Sequence, residues 1–149
     1  MEDCILMDFF DEINKKYEIF INGEASSIDS IRKLKDFSPV QIPEEYFEII
    51  RRKTEIEINI KDTNYIRIWS ADSSIEMNTA YYIQKYIPNS IAIGDDEGEY
   101  VFLYANGKEG FGLYIVEFGD LDVDEMKYIS KSLKDLLLNG VGVDILVNS

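Results

Sequence analysis

The run Ser90-Ile91-Ala92-Ile93-Gly94-Asp95-Asp96-Glu97-Gly98-Glu99-Tyr100-Val101-Phe102-Leu103-Tyr104-Ala105 decides the fold, together with its continuation through Asn106-Gly107-Lys108-Glu109-Gly110 to residues 111–118. Residues 90–94, 100–105 and 111–118 are rich in β-branched and aromatic side chains. Asp95-Asp96-Glu97-Gly98 separates the first two runs, and Asn106-Gly107-Lys108-Glu109-Gly110 separates the second from the third. Both separators have hairpin chemistry, so the three runs predict an antiparallel meander.

Towards the N-terminus, Ile56, Ile58 and Ile60 alternate with Glu55, Glu57, Asn59 and Lys61, the signature of a strand with one wet face. A second strand is predicted at 65–69, after Asp62-Thr63-Asn64. A helix is predicted over 75–87, capped by Ser73 or Ser74 and stopped at Pro88. Further back, Ile42-Pro43-Glu44-Glu45 reads as a helix start. Proline at the first helical position loses no needed N–H, and two carboxylates meet the positive end of the macrodipole. Arg51, Arg52 and Lys53 suit the other end. A short helix is predicted from Ser27, with Ser26 and Asp29 at capping-box spacing. Ile5, Leu6, Phe9, Phe10, Ile13 and Tyr17 predict an amphipathic helix over 3–17, with Asn22-Gly23 as the break after it.

Beyond the meander, Asp122 and Glu125 have capping-box spacing. Met126, Ile129, Leu133, Leu136 and Leu137 then predict one final helix, ended by Gly140, with residues 143–147 as a short strand. Helices that bracket hairpin-linked strands predict an α+β fold: a single domain over 1–149, with a twisted, mostly antiparallel sheet, a central three-strand meander and a covering of helices. The chain contains no repeat, low-complexity stretch or Pro/Gly/Ser linker. A length of 149 residues suits one domain.

Composition narrows the function. There are 29 Asp and Glu against 15 Lys and Arg, a net charge of −14 and a pI near 4.3. Binding by phosphate neutralisation needs the opposite balance, and an anionic membrane surface repels such a chain. No histidine is present, which excludes imidazole bases, Ser-His-Asp and Cys-His constellations, and histidine metal sites. Cys4 is the single cysteine, so neither an internal disulfide nor a thiolate zinc cage can form. Met1-Glu2-Asp3 is acidic where a signal peptide is basic, and no apolar h-region follows. The longest apolar run, residues 100–105, falls far short of the about 20 residues of a membrane span. A soluble, reduced, cytoplasmic protein is the expectation.

The helix from Ser27, the Ile42-Pro43-Glu44-Glu45-Tyr46 helix start, and Ile87-Pro88-Asn89-Ser90-Ile91-Ala92-Ile93-Gly94-Asp95-Asp96-Glu97-Gly98 together resemble the SUKH superfamily. That superfamily includes yeast regulators of cell-wall synthesis and many bacterial immunity proteins. The resemblance covers 26–140. The family often carries Asn-Gly-Gly just after the first of its helix motifs, where this chain has Arg51-Arg52-Lys53-Thr54. The resemblance implies a SUKH-like fold and a non-catalytic binding role without cofactor. Bacterial members look like cytoplasmic antidotes that bind the toxin domain of a polymorphic toxin, often a nuclease with a basic cleft. A regulatory scaffold with endogenous partners is the alternative it implies.

Charge distribution points the same way. Between Tyr86 and Met126 stand ten acids and one base, Lys108, leaving nine of the fourteen net negative charges in that window. Turns and a helix start are expected to hold most of them in water, where like charges repel. Asp95, Asp96, Glu97, Glu99, Asp120, Asp122, Asp124 and Glu125 are therefore the candidate partner-binding acids. The competing reading is local: carboxylates are favoured at turns and helix N-termini for their own sake. Tyr81, Tyr82 and Tyr86 crowd one predicted helix and cannot all point inward, which makes Tyr82 a candidate anchor. Trp69 is read as core.

Other motifs lose to simpler readings. Asp120, Asp122 and Asp124 resemble the opening of a calcium loop, but Glu125 and Lys131 stand where an EF-hand needs glycine and glutamate. A carboxylate site for a divalent cation at 95–99 is generic. Residues 107–112 resemble a phosphate loop without its Ser or Thr, and they lie between strands. Beside Glu2 and Asp3, Cys4 is a poor nucleophile. Carboxylate pairs of the glycosidase kind have no specificity among 29 acids, so a hydrolase is the weakest of the three readings. Arg32, Lys33, Lys35 and Arg51 to Lys53 read as solvated helix surface.

Overall fold

A computed structural model describes residues 7–148. Among them, β1 (Ile19–Gly23), β2 (Thr54–Lys61), β3 (Asn64–Ile68), β4 (Ser90–Asp95), β5 (Tyr100–Gly107), β6 (Gly110–Glu117) and β7 (Lys127–Ser130) form one sheet. Sheet order follows chain order, and every neighbouring pair is antiparallel. The expected meander is β4–β5–β6, with β5 and β6 in register from Tyr100↔Glu117 to Gly107↔Gly110. With its helical cover this is the α+β fold that the hairpin spacing predicts.

Side-chain alternation gives the sheet two faces. On the first, Ile56, Ile58, Ile66, Ile93, Phe102 and Leu113 belong to one buried cluster. Packed into that cluster are α1 (Phe9–Lys16), α2 (Ile28–Phe37), α3 (Glu44–Ile50), α6 (Leu133–Asn139) and α7 (Val143–Val147). On the second face, Trp69, Val101, Leu103, Tyr114 and Val116 form a smaller cluster. It is covered by α5 (Ile83–Tyr86) and by segment 118–126, which contributes Phe118, Leu121, Val123 and Met126. The last helix, α4 (Ala71–Ala80), packs against α2 and β4. β4 is accordingly buried on both faces along its whole length.

The helix-start motif is a junction. Glu44 is exposed and pairs with Arg51 at 2.5 Å. Glu45 is buried, and its Oε2 accepts from the Tyr104 hydroxyl at 2.5 Å and from the Leu133 amide at 2.5 Å. Its carboxylate thus completes the first turn of α6, a helix 88 residues further along the chain, whose N-cap Ser132 accepts from Asp135 N. Beside it, the Tyr46 hydroxyl donates to Trp69 O at 2.7 Å and lies 2.9 Å from Ser74 Oγ. α3 is thereby tied to the β3–α4 connection. Pro43 occupies the N-cap rather than the first helical position, with φ −57° and ψ 141°.

Several other boundaries differ from the sequence reading. α1 begins at Phe9, capped by Asp8 in a capping box with Asp11. The expected residues 3–6 of that helix, Cys4 included, lie outside the described residues. Asn22 and Gly23 end strand β1 rather than breaking the chain, and a Cβ on Gly23 would meet Thr54 O at 2.7 Å. Ser27, not Ser26, caps α2, while Ser26 Oγ accepts from Ala71 N. The helix expected over 75–87 is two helices, with α4 capped by Ser70 and Tyr82 in the left-handed region between them (φ 56°). Near the break, the buried Asn78 amide donates to Ser74 O and Ala92 O and accepts from Ala92 N. It pins the end of α4 to β4 just before the turn.

The single helix expected after Asp122 is a 3-10 turn at Val123–Glu125, then β7, then α6. A strand here satisfies backbone groups that β6 would otherwise leave unpaired at the sheet edge. Its alternation sends Ile129 into the first core and Tyr128 onto the second face, edge-on to Tyr114 at 5.3 Å. Gly140 ends α6 with φ 70°, as expected, but residues 143–147 form α7 and not a strand.

Candidate protein-binding surface

The acids expected to project together do not form one uniform patch. Asp95, at the end of β4, is only 3% exposed. Its Oδ2 accepts from Trp69 Nε1 at 2.9 Å and from Arg67 Nη2 at 3.0 Å, and its Oδ1 accepts from the Glu97 amide at 2.8 Å. Its carboxylate is therefore not an exposed acid, which corrects the expectation from the turn composition. A buried, saturated carboxylate of this kind holds a turn in shape. Trp69 is core, as expected.

Asp96 also works within the hairpin: its Oδ1 accepts from Gly98 N at 2.9 Å and Tyr100 N at 3.1 Å. Glu97 and Glu99 remain exposed. Glu97 has φ 64° and stands beside Glu57 of β2. Burial pushes its carboxyl above the usual range, the Glu57 charge adds to this, and Arg67 opposes it. Glu57 was not singled out from sequence. It lies in a row made by register, Phe20↔Glu57↔Arg67↔Asp95, across the part of the second face that α5 leaves open. The wet-face alternation of Glu55 and Glu57 was the available signal, but register placed the latter beside Glu97.

Asp120, Asp122, Asp124 and Glu125 lie on segment 118–126, whose apolar residues face the second core while these acids stay in solvent. Asp122 Oδ1 caps the 3-10 turn by accepting from Asp124 N at 2.8 Å. Asp124 pairs with Lys108 at 3.0 Å. That contact, a hydrogen bond foremost, raises the Lys108 pKa, so the one base in the acidic window is already engaged. The carboxylates of Asp120 and Glu125 have no hydrogen-bond or ion-pair partner among the described residues.

Two of the expected groups meet. The Phe118 amide donates to Glu99 O at 2.8 Å, which sets the Glu97–Glu99 turn and the start of the acidic segment at the same end of the sheet. Tyr82, 64% exposed, lines a cleft together with Tyr81, Tyr86, Phe118 and Asp120. Tyr81 and Tyr86 are exposed as well, and the Tyr81 ring lies 4.6 Å from that of Phe118. The helix break at Tyr82 presents all three tyrosines. Asp124 sits apart, at the β5–β6 hairpin that carries Lys108.

The basic residues expected on a solvated surface are mostly paired. Arg32 and Lys33 contact Asp29, and Arg52 contacts Asp8 and Asp11. No group of three or more His, Cys, Asp or Glu among the described residues is arranged to hold a metal. None of the described helices is long and apolar enough to cross a membrane.

No curated protein matches the chain. A family model does: that of the SMI1 / KNR4 family (SUKH-1) matches residues 25–139, from the residues before α2 to the end of α6. The matched span contains the Glu45–Tyr104–Leu133 junction, the meander and both acidic segments. The chain belongs to the SMI1 / KNR4 family (SUKH-1).

Proposed function

We propose that this protein is a non-catalytic, cytoplasmic immunity protein that binds a cognate polymorphic toxin with a basic, nuclease-type active cleft and occludes it. The supporting observation is segment 118–126. It lays Phe118, Leu121, Val123 and Met126 on the sheet and holds Asp120, Asp122 and Glu125 in water, with Asp120 beside three exposed tyrosines. Exposed anionic charge next to aromatic anchors suits a cationic protein surface, because charge speeds encounter and the aromatic rings slow release. Protein–protein binding is the coarse role that family membership supports.

A second reading, a regulatory scaffold with endogenous partners, draws on the same membership. Dispensability separates the two, since an antidote is needed only when its toxin is present. The direct test is co-expression with the C-terminal domain of a toxin encoded by a neighbouring reading frame. Restored growth and a stoichiometric complex are expected. Unrelieved toxicity with no complex would sink the antidote reading.

A further inference from the structure

Between the α4–α5 junction and the start of the acidic segment lies a cleft of about 450 Å³, walled by Tyr81, Tyr82, Tyr86 and Phe118 and lined also by Asp120. The three tyrosine hydroxyls and the Asp120 carboxylate make no hydrogen bond or ion pair among the described residues. The site therefore combines exposed ring faces, unused hydrogen-bonding groups and one unpaired negative charge. Aromatic faces attract cations through their quadrupole. They already do so here, where the Lys85 ammonium lies 5.9 Å from the Tyr82 ring centroid and 5.6 Å from that of Tyr86. Exposed Glu117, next to Phe118, and Glu99, whose carbonyl oxygen accepts from the Phe118 amide, add negative charge at this end of the sheet, against the single positive charge of Lys85.

We propose that this cleft receives an arginine side chain of the protein partner. The guanidinium plane lies on a tyrosine ring, and its N–H groups donate to Asp120 and to the tyrosine hydroxyls. This rests on the reading of the chain as a binder of a basic protein, and it names the side chain recognised. Arginine suits the site better than lysine. Its planar, weakly hydrated head stacks on rings and still presents a fork of donors. The larger groove beside residues 39–44 lacks these features: Glu44 is tied to Arg51, and Phe111 is stacked on Tyr104 at 6.0 Å.

The test is an NMR titration of the full chain with Nα-acetyl-arginine amide, using the neutral citrulline analogue as control. Saturable shifts are expected at the rings of Tyr81, Tyr82 and Tyr86 and at the amides of 119–121. The citrulline analogue should cause none of them. Asp120→Asn should weaken the response by about threefold while the rest of the spectrum stays unchanged. Absence of saturation, equal shifts with citrulline, or shifts spread evenly over residues 96–99 would overturn the assignment. Growth rescue that persists despite such a result would leave the antidote reading intact. Failure of rescue with a positive titration would remove the antidote reading alone.

Discussion

The indole N–H of Trp69 donates to Asp95 Oδ2 at 2.9 Å inside the second face of the sheet, and the Arg67 guanidinium reaches the same oxygen from the half-exposed side. This one carboxylate joins β3 to β4 and, through the Glu97 amide on its other oxygen, shapes the turn into β5. An acid that reads as a solvated hairpin residue is thus a structural pin. The acids available to a partner are its neighbours.

Removing the pin leaves three donors without an acceptor. Asp95→Ala is expected to lower stability by about 3 kcal/mol, and Trp69→Phe by less, since it removes a single bond and keeps most of the ring. Glu99→Gln, on an exposed side chain, should stay within about 0.5 kcal/mol of wild type. Urea denaturation of the three variants measures this. Equal stability of Asp95→Ala and Glu99→Gln would contradict the buried role.

Glu45 is a second pin, on the first face. Glu45→Ala leaves the Tyr104 hydroxyl without its acceptor in the core and the Leu133 amide with only its 3.2 Å bond to that hydroxyl, and a loss of about 2 kcal/mol is expected. Tyr104→Phe should cost about 1 kcal/mol, because the carboxylate keeps the Leu133 amide. Hydrogen exchange would locate the damage: protection in α6 should fall first in Glu45→Ala, before that in β5.

Glu97 supplies a pH signature. Its folded-state pKa is raised by burial first and by Glu57 next, so the folded protein favours its protonated form. Its contribution is fully present below the unfolded value of about 4.3 and is lost as pH rises through the folded value. Glu97→Gln, which cannot ionise, should be more stable than wild type at pH 7, and the two should converge in acid. Thermal midpoints of both proteins between pH 4 and 8, in steps of about half a unit, check the sign. A variant less stable than wild type at pH 7 would refute it.

Association with a cognate toxin domain should depend on the exposed acids. Joint replacement of Asp120, Asp122 and Glu125 by their amides is expected to slow association about tenfold at low salt, with the difference vanishing near 1 M salt. Asp124→Asn should matter less, because Lys108 already offsets that charge. Stopped-flow association rates against ionic strength decide this. Rates indifferent to salt would remove the electrostatic part of the proposal.

Local patterns carried much of this in the sequence. The alternation of Ile56 and Ile58, the hairpin separators at 95–98 and 106–110, and the Pro43-Glu44-Glu45 helix start fixed elements from neighbours a few residues apart. The sheet order follows from them, because each strand pairs with the next. Tertiary packing decided the rest. Strands β1 and β7 form by pairing with β2 and β6, partners that residues 19–23 and 127–130 do not announce. The break at Tyr82 stands beside Asn78, which grips a strand 14 residues later, and no glycine or proline marks it. Composition likewise determined that surplus negative charge exists and that imidazole chemistry does not. Which carboxylates are free was set by register and burial: β3 places Arg67 and Trp69 against Asp95 and leaves Asp120 open beside three tyrosines. Charge is a property of each residue, but its availability depends on what the fold brings within hydrogen-bonding reach.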